Sequence, residues 1–201
     1  MALAPTKGNL INLKKSLALA ENGYELLDRK RNILVREMLR LIDDAESIQN
    51  AIDKSYEKAY KALQAANVSL GIIAVQSAAS ADIDDSLSIS YRSVMGVEIP
   101  SATTKNDSSV LPDFGLHTSN AFLDEAFINF NRVKVLTVRL AEIENSVYRL
   151  ANAVKKTRKR ANSLKNIVIP DFKTQIKFIS EVLEEKEREE FSRLKVIKRR
   201  K

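Results

Sequence analysis

The sequence predicts an all-α protein: a long antiparallel two-helix coiled coil formed by the N- and C-terminal segments, with a small β-hairpin/loop element in the middle. Three observations predict it. Glycine and proline are scarce, five and four in 201 residues, and residues 24–70 contain neither. Both ends of the chain carry an apolar row with an average period of 3.5. Between them lies a stretch in which Ser, Asp, Asn, Pro and Gly concentrate.

The first segment runs over about 9–71. In alternating steps of three and four it places Leu10, Leu13, Leu17, Ala20, Tyr24, Leu27, Arg31, Leu34, Met38, Leu41, Ala45, Ile48, Ile52, Ser55, Ala59, Ala62 and Ala66 on one stripe. Only Arg31 and Ser55 are polar. A row held for so many heptads keeps one face on a partner helix and implies a left-handed supercoil. The small residues Ala59, Ala62 and Ala66 would let two helices approach closely near the turn.

The second segment runs from about 119 to the end. Its row is Phe122, Ala126, Asn129, Val133, Leu136, Leu140, Ile143, Val147, Leu150, Val154, Thr157, Ala161, Leu164 and Val168. Thr118 or Ser119 is the expected N-cap, with Asp124 and Glu125 suited to the positive end of the helix. At Val168 the spacing changes to steps of four, through Phe172 and Ile176, before Ile179 and Leu183 resume the alternation. This reads as a stutter that unwinds the supercoil locally, with a kink expected at Pro170. Beyond Leu183 the row fades, and Phe191, Leu194 and Ile197 form a short row of their own.

At ~1.5 Å per residue the two segments would extend about 95 and 120 Å. Neither can bury its stripe alone, so folding back on each other is the economical solution, with homodimerisation the alternative. The expected division is therefore 1–71 N-terminal coiled-coil helix, 72–118 β-hairpin/loop tip and 119–201 C-terminal coiled-coil helix. Within the tip, Leu87, Ile89 and Tyr91 alternate with Ser88, Ser90 and Arg92, and Val94, Met95, Val97 and Ile99 continue with high β-propensity. Pro100 is expected to stop the run, and 101–109 to be a mobile loop.

Composition narrows the function classes. There is no Cys, so disulfides and thiolate metal sites are excluded. The glycines are too scattered for a phosphate loop. The single histidine, His117, has no partners for catalysis or zinc binding and reads as a loop or capping residue. The acidic run Glu181, Glu184, Glu185, Glu187, Glu189 and Glu190 lacks the Glu-x-x-His motif of di-metal bundles and reads as a solvated face. No nucleophile stands with a matched base, so no catalytic residue, metal site or cofactor is expected. Residues 1–7 lack a secretory signature, and no apolar run is long enough to span a bilayer. The net charge of +7 suggests an acidic partner. Two basic clusters carry it: Lys155, Lys156, Arg158, Lys159 and Arg160, and Arg193, Lys195, Lys198, Arg199, Arg200 and Lys201. Without interleaved aromatics they do not argue for base stacking.

Several local motifs are more specific than the heptads. Near the start stand Pro5-Thr6-Lys7-Gly8-Asn9-Leu10, Leu13-Lys14 and Gly23-Tyr24-Glu25-Leu26-Leu27-Asp28-Arg29-Lys30-Arg31. Near the end stand Lys156-Thr157-Arg158-Lys159-Arg160-Ala161-Asn162-Ser163-Leu164, Ile169-Pro170, Leu183-Glu184-Glu185-Lys186-Glu187-Arg188-Glu189-Glu190 and Arg193-Leu194-Lys195. Together they resemble the D subunit of the V-type and A-type rotary ATPases, a central-stalk component. The resemblance covers both helices and leaves the middle segment without a recognisable signal. It departs at Ala161 and Lys165, where the family often has Val and Glu, and at Gln175-Ile176-Lys177-Phe178-Ile179, which replaces Thr-Ile-x-Tyr-Ile.

The resemblance implies a non-catalytic central rotor shaft that transmits torque between a membrane ion-translocating ring and a catalytic A/B hexamer. It implies as partners the catalytic A and B subunits, the small F subunit of the stalk and a funnel-shaped subunit on the membrane rotor ring. It implies no nucleic acid, no cofactor, and a cytoplasmic location peripheral to the membrane through those partners. On that reading Lys14, Lys15, Arg188, Arg193 and Lys195 are the expected partner-contact residues, the two groups lying near one level. Leu10, Leu13, Leu17, Leu27, Leu34, Leu41, Ile48, Ile52, Leu136, Leu140, Ile143, Val147, Leu150, Leu164, Ile176 and Leu183 are the expected coiled-coil seam. The alternatives are a basic coiled-coil arm binding RNA, or a homodimeric coiled-coil scaffold.

Overall fold

A computed structural model describes residues 4–78, 87–104 and 119–199. His117, Thr118 and 105–109 lie outside the described residues, as do Arg200 and Lys201. The elements in order are α1 (Lys7–Leu70), α2 (Ile72–Ala78), β1 (Leu87–Val94), β2 (Val97–Thr104), α3 (Ala121–Ser163), a π-helical turn (Leu164–Val168) and α4 (Ile169–Arg199). The fold class is that of two long helical segments, from the beginning and the end of the chain, with a two-stranded sheet between them in sequence. The chain divides into two compact units, one of residues 1–33 with 154–201 and one of residues 34–153.

In the first unit α1 starts two residues earlier than its apolar row suggests. Thr6 caps it: its hydroxyl accepts from the Asn9 amide at 3.3 Å and its carbonyl from Leu10 at 3.1 Å. Here the early and late segments run antiparallel. Lys7 meets Glu187 at 2.8 Å, Glu21 meets Lys173 at 3.0 Å, and Tyr24 lies under the Lys165 ammonium at 5.7 Å. Leu13, Ala20, Thr157, Ala161 and Ile179 are buried, while Leu10, Leu17, Leu27, Leu164, Ile176 and Leu183 are half-buried.

The irregularity expected around Pro170 takes a different form from a stutter. Relative to strict alternation, every apolar position after Val168 is displaced by one residue, which is a skip. The helix takes it up in one wide turn. The Ile169 amide donates to the Leu164 carbonyl, five residues back, across the π-helical turn.

In the second unit α1 and α3 also run antiparallel. Tyr56 and Tyr60 pack on Phe130, with ring centroids 6.5 and 5.5 Å apart, and Asn120 donates to the Ser69 hydroxyl at 2.9 Å. Leu34 and Leu150 are fully buried, and Leu41, Ile52, Val133 and Ile143 nearly so. Ile48, Leu136, Leu140 and Val147 are half-buried. Ala59, Ala62 and Ala66 are buried, and Ala66 forms a small core with Val75 of α2 and Leu123 of α3. Phe122, expected in the row, is 46% exposed, and its neighbour Leu123 is buried instead. Helix α3 starts later than a cap at Thr118 or Ser119 would give. The carbonyl of Asn120 accepts its first amides, from Leu123 at 2.8 Å and Asp124 at 3.1 Å. Buried Ser55 and Ser146 return their hydroxyls to carbonyls four residues back, at 2.8 and 2.7 Å, which removes the cost of hiding them.

Glycine ends α1. Gly71, at φ 82°, breaks the helix in the left-handed conformation that L side chains disfavour, and α2 then begins where no helix is expected from the sequence. The hairpin is longer than expected as well. Strands β1 and β2 pair from Leu87 with Thr104 to Val94 with Val97, around a two-residue turn of Met95 (φ 51°) and Gly96 (φ 74°). Pro100 does not stop β2, and residues 101–104 are strand rather than loop. Pro100 faces Tyr91. Counting from the hydrogen-bonded pair that closes the turn, this is a non-hydrogen-bonded position, so the missing N–H is not required by the ladder.

Candidate partner-binding surfaces

Three surfaces are built by these elements. The first is the end of α4. Residues 184–199 are all exposed, and α1 begins only opposite Glu187. Phe191, Leu194, Val196 and Ile197 are each more than half exposed and are interleaved with Arg193, Lys195, Lys198 and Arg199. The Lys195 ammonium lies 5.1 Å from the Phe191 ring centre. The sequence marks Phe191, Leu194 and Ile197 as a short apolar row without Val196, but the expected partner contacts rest on charge alone. The signal was present: an apolar row continuing past the reach of the opposing helix.

The five expected partner-contact residues, Lys14, Lys15, Arg188, Arg193 and Lys195, are all exposed. They do not share one level. With Lys7 beside Glu187, Lys14 and Lys15 lie two turns further along α1. Arg193 and Lys195 lie about two turns away in the other direction, so the two groups stand roughly 20 Å apart along the axis at ~1.5 Å per residue. Arg188 is 4.0 Å from Glu185 and Arg193 is 3.7 Å from Glu189, so part of their charge is balanced along α4 itself. Lys7 and Glu187 form the cleanest pair. The carboxylate, by hydrogen bonding and charge, holds the lysine above its ordinary pKa of 10.5, and the lysine holds the glutamate below its ordinary 4.5.

The second surface is basic. Residues 151–170 contain no Asp or Glu and hold Lys155, Lys156, Arg158, Lys159, Arg160 and Lys165, all exposed. Among the described residues none of these six forms an ion pair with a carboxylate. Two cations of α1 in the same unit differ: Arg29 is 3.7 Å from Glu25, and Arg31 is 2.8 Å from Asp28. This stretch is thus the main uncompensated positive charge of its unit.

The third surface lies in the second unit, where the hairpin meets α3. The outward edge of β2 is held by α3 side chains. The Ala102 amide donates to the Glu142 carboxylate at 3.2 Å, and the Arg149 guanidinium donates to the Glu98 carbonyl at 3.2 Å. Between these two ties sits Pro100, which has no amide to satisfy. Arg149 also stacks 5.3 Å over Tyr91. On the opposite face Ile99 is buried, and its cross-strand partner Arg92 reaches Glu37 of α1 at 3.9 Å. A groove of about 290 Å³ remains between the exposed Leu87, Ile89 and Tyr91 and the α3 residues Val138 and Ala141. These long-range ties leave no mark on local sequence.

Fold and surfaces together define an all-α coiled-coil protein with a small hairpin, one that presents charge and apolar side chains outward. The family model that describes the D subunit of ATP synthase matches residues 9–199. The chain is 45% identical over 199 residues to the V-type ATP synthase D subunit of Thermotoga neapolitana, covering 98% of each chain. It is 37% identical to the A-type ATP synthase D subunit of Methanosphaera stadtmanae, covering 97% of this chain and 92% of that one. It is 34% identical to the A-type ATP synthase D subunit of Pyrococcus abyssi, covering 98% and 94%. The chain belongs to the family of ATP synthase D subunits. Among the described residues no helix is long and apolar enough to cross a membrane.

Proposed function

We propose that this chain is the central shaft of a V/A-type ATP synthase, carrying torque between a membrane ion-translocating ring and a catalytic hexamer of A and B subunits, and catalysing nothing itself. The observation that carries the reading is the end of α4: a helix outlasting its partner, with four exposed large apolar side chains set among cations. Such an end suits insertion into a protein sleeve. Burying each of those side chains there is worth roughly 1–2 kcal/mol. Lys14, Lys15, Arg188, Arg193 and Lys195 would meet carboxylates on the inner wall of the hexamer, and the acid-free stretch 151–170 supplies further positive charge for the same wall. The small F subunit would pack beside the helices, and a funnel-shaped subunit would seat the opposite end on the ring.

The mechanism follows from differential contact. A hexamer with three equivalent sites binds nucleotide equally at each. A shaft with unlike faces contacts each site differently, so turning it shifts the three conformational equilibria in sequence. Rim charge pairs contribute little affinity, about 0–1 kcal/mol each, and mainly set registration.

The test is purification of the full chain from cells with identification of its co-purifying subunits, followed by ATP hydrolysis and ion pumping by the assembled complex. Recovery with A and B subunits is expected. Reversing all five contact charges is expected to lower coupled activity several-fold, and unchanged coupling would remove that role from them. A self-associated chain bound only to RNA would replace the proposal with the RNA-arm reading.

A further inference from the structure

We infer that residues 164–170, together with Gly23 opposite them, form a torsional joint in the first unit, at which α4 can twist about its own axis more easily than any neighbouring helical stretch.

Four observations meet here. The first is the one-residue displacement of the apolar row. Removing a single residue between Val168 and Phe172 would restore strict alternation from Ala161 to Leu183, so the chain carries one residue more than its packing needs. The second is the wide turn itself, in which the Ile169 amide reaches the Leu164 carbonyl. Wide turns have looser hydrogen bonding than the regular helix on either side.

The third is backbone bookkeeping. The Lys165 carbonyl would ordinarily receive the amide of Ile169, which is committed to Leu164. The next donor along would be residue 170, which is proline and has none. At least one rung of the helix ladder is therefore missing, since the Asn166 carbonyl, four residues before Pro170, also lacks its ordinary donor. Lys165 is exposed, so water can take the open carbonyl at little cost.

The fourth lies on the other helix. A Cβ added to Gly23 would stand 3.9 Å from Leu164 Cδ1, so α1 has one of its two glycines, and the one in its interior, level with the wide turn. Packing is thin around both. No residue between Ala161 and Ile179 is buried, and none between Ala20 and Leu34. Two polar ties bracket the joint, Lys165 over Tyr24 and Lys173 with Glu21 at 3.0 Å. They can stretch and recover as the helices twist, because neither is buried. Pro170 keeps the wide turn from migrating toward the C-terminus, since a regular turn there would need the donor it lacks. Under the shaft reading this is where elastic twist would collect, but the joint itself does not depend on that reading.

The test is hydrogen exchange on the isolated full chain, compared with two variants. In the wild type, amides of 165–169 and 171 are expected to exchange about ten-fold or more faster than those of 143–150, because local opening follows loss of hydrogen bonds and buried contacts. Deleting Pro170 removes the surplus residue and the missing donor together, and is expected to slow exchange in this stretch to that of 143–150. Pro170→Ala restores the donor but keeps the surplus residue, and is expected to give an intermediate rate, which keeps the test decisive if the deletion does not fold. Equal protection of 165–171 and 143–150 in the wild type would overturn the inference, as would unchanged exchange in a folded deletion variant or, failing that, in Pro170→Ala.

Discussion

Met95 occupies the left-handed region at φ 51°, alone among the described non-glycine residues. Holding such a residue there costs about 1 kcal/mol, and Asn followed by Gly is the favoured pair for this turn. Met95→Asn is therefore expected to stabilise the hairpin by ~0.5–1 kcal/mol, and Gly96→Ala, at φ 74°, to weaken it by about 1 kcal/mol or more. Amide exchange of Val94 and Val97 measures both. Lys7 and Glu187 make the other residue-scale prediction. The lowered glutamate value means its contribution is complete above the ordinary carboxylate range and is lost as pH falls through and below 4.5. The raised lysine value means its contribution is complete below 10.5 and is lost as pH rises beyond it. The pair should thus hold across neutral pH and release at both extremes. Because both groups are exposed, the effect should appear as faster exchange of the first turns of α1 and not as a change in global stability.

At the scale of an element, the apolar rows rank their members. Leu34 and Leu150 have no exposed surface, so Leu34→Ala and Leu150→Ala should each cost about 2–5 kcal/mol in urea unfolding. Leu26, 65% exposed on the same helix as Leu34, should lose less than ~0.5 kcal/mol on the same change. Gly23→Ala meets only ordinary contact at Leu164 and removes a flexible position from α1, so a gain of ~0.5–1 kcal/mol is expected. In the strands, Pro100 is tolerated because its nitrogen points out of the ladder, between the ties to Arg149 and Glu142. Glu142→Ala leaves the Ala102 amide without its acceptor and should loosen β2 at that end, measured as faster exchange at Ala102.

At the scale of the molecule, legibility follows periodicity. The two helical segments and their antiparallel fold class were readable because packing along a helix repeats, and repetition is visible in one dimension. The hairpin was readable as far as its side chains alternate. What escaped reading depended on partners distant in sequence or on backbone groups that carry no letter. The continuation of β2 past Pro100 depends on which way one nitrogen points. The start of α3 rests on a carbonyl at Asn120, and Leu123 displaced Phe122 because Ala66 and Val75 are on that side. The outward apolar end of α4 was visible as letters but not as a surface, since exposure is decided by where the other helix begins. The candidate contact residues are exposed, but the single level expected of them is not found. The whole-molecule expectation is a helix-dominated circular dichroism spectrum, with the mass of one chain by light scattering if the early and late segments pair within a molecule. The extra residue near Pro170 also matters to anyone grafting this chain onto a relative. Successive residues step about 100° around a helix. A chimera that kept the extra residue without the wide turn, or the wide turn without the residue, would present everything beyond the junction with its side chains swung by that angle, and the hybrid would need one residue removed or added before its halves could match.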